Sequence, residues 1–83
     1  MSHLIIHILD DAPVVTLDGP VPMSFLWTRG AWRHAPVAGL KALAAGREIG
    51  NVCFLSRFPA AACALPLALE RASALRGNSL KAD

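Results

Sequence analysis

Hydrophobic positions form short blocks in the first third of the chain and recur at helical spacing in the rest. His3 to Leu9 is an unbroken block rich in Ile and Leu. It predicts a buried strand with Leu4, Ile6 and Ile8 on one face and His3, Ile5, His7 and Leu9 on the other. Asp10-Asp11-Ala12-Pro13 carries turn chemistry. Val14-Val15-Thr16-Leu17 is β-branched and short, and predicts a second strand paired with the first as a hairpin. Asp18-Gly19-Pro20-Val21-Pro22 is a break, because glycine permits positive φ and proline offers no ladder donor. Met23 to Thr28 predicts a third strand, with Met23, Phe25 and Trp27 alternating against Ser24, Leu26 and Thr28; Arg29-Gly30 ends it. Ala31 to Ala35 fits neither period.

Pro36 is placed for the first turn of a helix. Val37, Leu40, Leu43 and Ala44 follow as its apolar stripe, and Gly46 stands where a left-handed residue would end it. Gly50-Asn51 resembles a turn, and Val52-Cys53-Phe54-Leu55 reads as a fourth strand. Pro59 opens the last helix and Gly77-Asn78 closes it, leaving residues 79–83 as a frayed tail. Pro66 falls inside that helix and either kinks it or divides it in two. Leu65, Leu69, Ala72 and Leu75 share its apolar face. The order β-β-β-α-β-α over residues 1–83 predicts a single α+β domain: a small antiparallel sheet with two helices packed on one face. The other face would stay open, and Ile5 and Leu9 would make it adhesive.

Composition sharpens this picture. A chain of 83 residues builds a modest core, so its stability is marginal alone. It is 54% hydrophobic with a mean hydropathy of +0.45. Much of that is alanine, and the excess favours an apolar patch at a dimer or partner interface. A homo-oligomer is the expected state. Two cysteines, Cys53 and Cys63, make no disulfide framework of the kind small secreted domains use. The N-terminus reads as a strand and not as a leader, since it lacks a basic first segment. The longest apolar stretch, 52–69, is interrupted by Arg57, Pro59 and Pro66, where a membrane span needs roughly 20 apolar residues. The expected location is a reducing cytoplasm, with no membrane contact.

The net charge is +2, but its distribution is uneven. Met1 to Thr28 holds three acids (Asp10, Asp11, Asp18) and no Lys or Arg, a balance of −3. From Arg29 on, all eight basic residues stand against Glu48, Glu70 and Asp83, a balance of +5. Such asymmetry suits an anionic partner or head-to-tail pairing, although charges that simply sit on solvated loops are the favoured account.

Chemistry-bearing constellations are sparse. His3 and His7 lie on one strand, roughly 13 Å apart by the usual rise, too far for one ion. Neither cysteine stands at zinc spacing with another ligand, so no metal is expected. Cys53 and Cys63 read as small core residues and not as activated nucleophiles. No Gly-x-Ser-x-Gly elbow occurs, and Gly46 to Asn51 lacks the phosphate-loop ending. A catalytic role and a cofactor are therefore not expected. The richest segment is Trp27 to His34, with both tryptophans and two arginines in eight residues. Trp and Arg anchor protein interfaces, and they also stack on bases and grip phosphates. Trp32, claimed by no regular element, is the expected centre of a partner-binding site with Arg29 and Arg33, joined by Arg47 and Arg57. Core burial of both rings is the bland alternative. A small nucleic-acid-binding accessory or repressor protein is the alternative function; two lysines and no recognition motif argue against it.

In its short length, compact α+β order, lack of catalytic motifs and Ala- and Arg-rich 60–76 segment, the chain resembles the small anti-CRISPR proteins of phages and mobile elements that act on type I systems. That family has no shared motif, so the resemblance transfers no residues. Many members are acidic and mimic DNA, whereas this chain is basic. The resemblance therefore implies a non-enzymatic inhibitor that docks on Cas subunits of a type I surveillance complex and blocks target DNA by occupancy.

Overall fold

A computed structural model describes residues 4–20 and 22–82, with side chains as far as residue 74. The elements are β1 (Leu4–Leu9), β2 (Ala12–Leu17), β3 (Met23–Thr28), β4 (Ala31–His34), α1 (Pro36–Ala45), β5 (Arg47–Glu48), α2 (Asn51–Arg57) and α3 (Pro59–Ala82). The strands form one sheet in the order β4-β3-β2-β1-β5, and every neighbouring pair is antiparallel. The expected α+β class holds, as does the block of strands ahead of the helices.

Local chemistry accounts for the meander. Leu9 pairs with Ala12, so Asp10 and Asp11 alone connect β1 to β2, at φ 50° and 63°. Two consecutive positive-φ residues define the hairpin turn whose twist matches the strands, and aspartate tolerates that region better than most residues. Arg29 and Gly30 repeat the device between β3 and β4, at φ 54° and 73°. That turn makes Ala31–His34 a strand. Its sequence hid it because Arg33 and His34 are both exposed, which breaks the two-residue alternation.

Directly opposed residues share a face of the sheet. Ile5, Thr16 and Ser24 therefore lie on one face, and Ile6, Val15 and Phe25 on the other. Helix α1 covers the first face, with Gly39 seated on Ser24. Helices α2 and α3 cover the second, where Phe54, Ala61, Leu65 and Ala72 close the core over Ile6, Val15 and Phe25. The expected placement of two helices on one face is thus corrected: the sheet is the middle layer, and the face expected to be open lies under α1. The physical reason is the path of the chain. Ala35 N–H bonds to the Ser24 carbonyl at 2.9 Å, which turns α1 back across β3, β2 and β1 before β5 joins the far edge.

The expected fourth strand, Val52 to Leu55, is the helix α2. The strand after α1 is the two-residue β5, which pairs with His7 and Ile8 on the β1 edge. Ile49 N–H adds a bond to the Ile6 carbonyl at 2.9 Å, and the chain then leaves the sheet. A four-residue apolar run fits a strand or a helix equally, and here only Phe54 is buried. Gly46 is extended, at φ −76°, and not left-handed; a Cβ there would stand 2.7 Å from the Ala42 carbonyl oxygen. α3 is one helix through Pro66 and continues past Gly77-Asn78 to Ala82. Ala61, Leu65 and Ala72 pack along one side of it, before and after the proline, so packing carries the helix across the missing N–H. His3, Val21, Asp83 and the side chain of Leu75 lie outside the described residues.

Glycine is a poor helix former, so Gly39→Ala should stabilise an isolated helix. In this fold the added Cβ overlaps Ser24 Oγ and Cβ. Gly39→Ala should instead lower stability by about 1–3 kcal/mol, the cost of overpacking. Urea unfolding measures it, and Ser24→Gly in the same chain should restore part of the loss.

Candidate interaction surface

The five residues expected to form a contact site are spread over the molecule. Trp32 faces inward. Its indole Nε1–H donates to the Ala61 carbonyl at 2.9 Å, and its ring meets Trp27 edge-on at 5.4 Å and Phe54 at 6.1 Å. It pins α3 and α2 to the sheet and is half-buried, with the core cluster around it. Arg33 follows on β4 opposite Leu26, so it points to the α1 side while Trp32 points to the α3 side. Arg29 is exposed in the β3–β4 turn. Arg47 lies on β5 at the opposite edge of the sheet, four strand spacings or about 19 Å from β4. Arg57 ends α2, its guanidinium 5.5 Å from the Phe58 ring centre. None of the five takes part in an ion pair among the described residues.

The expectation that both cysteines are core residues is corrected. Cys53 and Cys63 are exposed, because α2 and α3 turn Phe54, Ala61 and Leu65 inward instead. Among the described residues no three His, Cys, Asp or Glu side chains gather at metal-ligand distance. His34 is exposed on β4 and lies 5.8 Å from the Phe25 ring. His7 is 6% exposed, and its Nδ1 has no hydrogen-bond partner among the described residues. No single described helix is long and apolar enough to cross a membrane.

What the sequence missed is on the helices. The apolar stripe of α1 faces outward: Val37, Leu40 and Leu43 are 63%, 69% and 58% exposed. Gly39 and Ala42 face the sheet instead, since small residues let the helix lie close. Val52 and Leu55 on α2 are equally open, at 85% and 61%. The Gly39/Ala42 pair at i, i+3 was the available signal. It marks a second, small-residue face on a helix whose large residues attract attention first. Two shallow grooves lie on the molecule, the first beside the exposed side of α1. One lies between α1 and the β2–β3 side, floored by the hydroxyls of Thr16 and Ser24, 3.0 Å apart. The other lies between β4 and α3, beside Trp32, Ala68 and Arg71.

No protein-family model, curated protein or solved structure matches the chain.

Trp32→Phe should keep much of the ring packing but lose the indole N–H bond to the Ala61 carbonyl, costing about 1 kcal/mol. That would lower Tm by several degrees in a domain of this size. His7→Leu should act in the opposite direction, since it removes a buried nitrogen with no partner at nearly equal volume. A gain of roughly 1 kcal/mol in chemical unfolding is the expected result.

Proposed function

We propose that this chain is a non-catalytic binding protein that acts by occupying the surface of a partner protein, and that α2 is the element that makes contact. The observation that carries this reading is the exposure of Val52 and Leu55, one helical turn apart, on a short helix anchored from beneath by Phe54. Arg57 stands at the end of the same helix. Its partial immobilisation over Phe58 lowers the entropy lost when it meets a carboxylate. Aliphatic side chains beside a held arginine suit a partner surface that is apolar at its centre and acidic at its rim. Arg29, Arg33 and Arg47 would act at long range, speeding association with an acidic partner from several sides.

The resemblance to anti-CRISPR proteins names the first partner to try: the protein subunits of a type I surveillance complex in a bacterial cytoplasm. The inhibitor would then act by obstruction of target DNA, in fixed stoichiometry and without turnover. Retention of the arginines on both edges of the sheet supports the nucleic-acid alternative less well, because a phosphate track needs them along one line.

The test is calorimetric titration of a purified, nuclease-treated type I surveillance complex with this protein. Saturable binding at a fixed ratio is expected, weakened about thirtyfold or more by Leu55→Glu, the usual effect of losing a hot spot. Circular dichroism should show the variant folded, since Leu55 lies outside the core. Binding that Val52→Glu and Leu55→Glu both leave intact would rule out α2. Retention of bare nucleic acid alone would select the alternative function.

A further inference from the structure

The outer strand of a sheet presents main-chain groups that no neighbour pairs. β4 is such a strand: it lies outermost and pairs only with β3. The register shows which of its groups are free. Ala35 N–H bonds to the Ser24 carbonyl, so those two residues form a hydrogen-bonded pair. Bonded and non-bonded pairs alternate along an antiparallel ladder. Leu26 with Arg33 is therefore the next bonded pair, and Phe25 with His34 and Trp27 with Trp32 are the non-bonded ones. Side chains approach more closely in non-bonded pairs, and the rings of these two meet at 5.8 Å and 5.4 Å. In such a pair the main-chain groups point away from the partner strand. The N–H and C=O of Trp32 and of His34 thus face the open edge, and among the described residues no backbone group beyond β3 bonds to them.

The groove between β4 and α3 opens beside this edge, with Ala31 and Trp32 on one wall and Ala64, Ala68 and Arg71 on the other. Its volume of about 240 Å³ is below the roughly 300–1,000 Å³ of a small-molecule pocket. It is better matched to side chains delivered by a neighbouring backbone. We propose that β4 is a docking edge for an extended peptide segment of a partner protein, which adds to the sheet antiparallel to β4. Its residues opposite Trp32 and His34 are apolar and turn toward α3 and the groove. The residue between them is acidic and stands opposite Arg33 on the α1 side.

Charge selects this occupant over a second copy of the chain. Two β4 strands could satisfy all their outward groups by setting Trp32 of each against His34 of the other. The two-fold axis would then pass between the two Arg33 side chains, and like charges directly opposite one another are destabilising. An acidic residue in that place meets an exposed guanidinium that has no ion pair among the described residues. Arg29 in the adjoining turn and Arg71 on the groove wall carry the same sign. The proposal uses none of the α2 residues, so it stands whether or not α2 makes its contact.

The experiment is amide hydrogen exchange read by NMR, with acetylated and amidated Thr-Val-Glu-Val-Glu-Val-Thr as the probe. In the free protein the Trp32 and His34 amides should exchange about tenfold or more faster than that of Arg33, which bonds to Leu26. Saturating peptide should slow both to the Arg33 rate. Lysine in place of both glutamates should weaken binding about fivefold, and Arg33→Glu should reverse the order of the two peptides. His34→Pro removes an N–H that serves only the open edge, so its dichroism should be unchanged while peptide affinity falls about tenfold. A probe N-methylated at its valines lacks the donors that would meet β4 and should not protect the two amides, a readout that needs no variant. Absence of binding at millimolar peptide would overturn the proposal. So would binding that leaves the Trp32 and His34 amides unprotected, or protection by the N-methylated probe. Protection in the free protein that grows with its concentration would place a second copy on the edge and overturn it as well. Leu55→Glu should leave the peptide response intact, so failure here and failure of the α2 contact are separable.

Discussion

Helix α1 lies on the sheet at a distance that only glycine permits. The place a Cβ would take at Gly39 is filled by Ser24, and Ala42 one turn on is fully buried. Much follows from this approach. Ser24 is driven to 8% exposure, and a buried hydroxyl without a partner is costly; Thr16, opposite it on β2, supplies the partner at 3.0 Å. Small residues must face the sheet along α1, so its large ones cannot. Val37, Leu40 and Leu43 are turned to the outside, although each would gain about 1.5–3 kcal/mol from full burial. The close contact with the sheet and the bare aliphatic seam are two sides of one helix orientation.

The opposite face is organised by size instead of closeness. Phe25, Trp27 and Trp32 project from β3 and β4, and Phe54 and Phe58 reach them from α2 and the bend before α3. The rings meet tilted or edge-on at 5.4 to 6.4 Å, within the range where aromatic pairs attract beyond their buried area. One hydrogen bond fixes the register of this layer. Trp32 Nε1 reaches Ala61 in the first turns of α3, 29 positions along the chain. An alanine-rich helix has little shape of its own to dictate how it sits on a sheet. A directional bond from a large ring supplies that information.

The sheet was legible because its chemistry is local. An unbroken Ile- and Leu-rich block placed β1, a β-branched run placed β2 and two-residue alternation placed β3, with the turn residues between them. The last helix was legible for the same reason, through Leu65, Leu69 and Ala72 at helical spacing. Legibility failed where tertiary context decides. Val52 to Leu55 is too short to distinguish a strand from a helix, and the sheet edge it would have joined is held by Arg47 and Glu48. The α1 stripe was found, but which side meets the sheet was not legible, because hydrophobicity ranks Leu40 above Gly39 and says nothing about how near the sheet lies. Trp32 was taken for a contact residue for want of an element to hold it. Once Arg29-Gly30 is seen to be a hairpin turn, β4 follows, and the ring turns inward.

The layered arrangement separates the open aliphatic surfaces of the helices. α1 and α2 lie on opposite faces of the sheet, so a contact made through one leaves the other free. The α2 patch rests on two aliphatic residues and one arginine. From so small an area alone, little affinity would remain once the entropy of association is subtracted. Arg57 offsets part of that cost: held over the Phe58 ring, it loses less freedom than an unrestrained arginine when it meets a carboxylate.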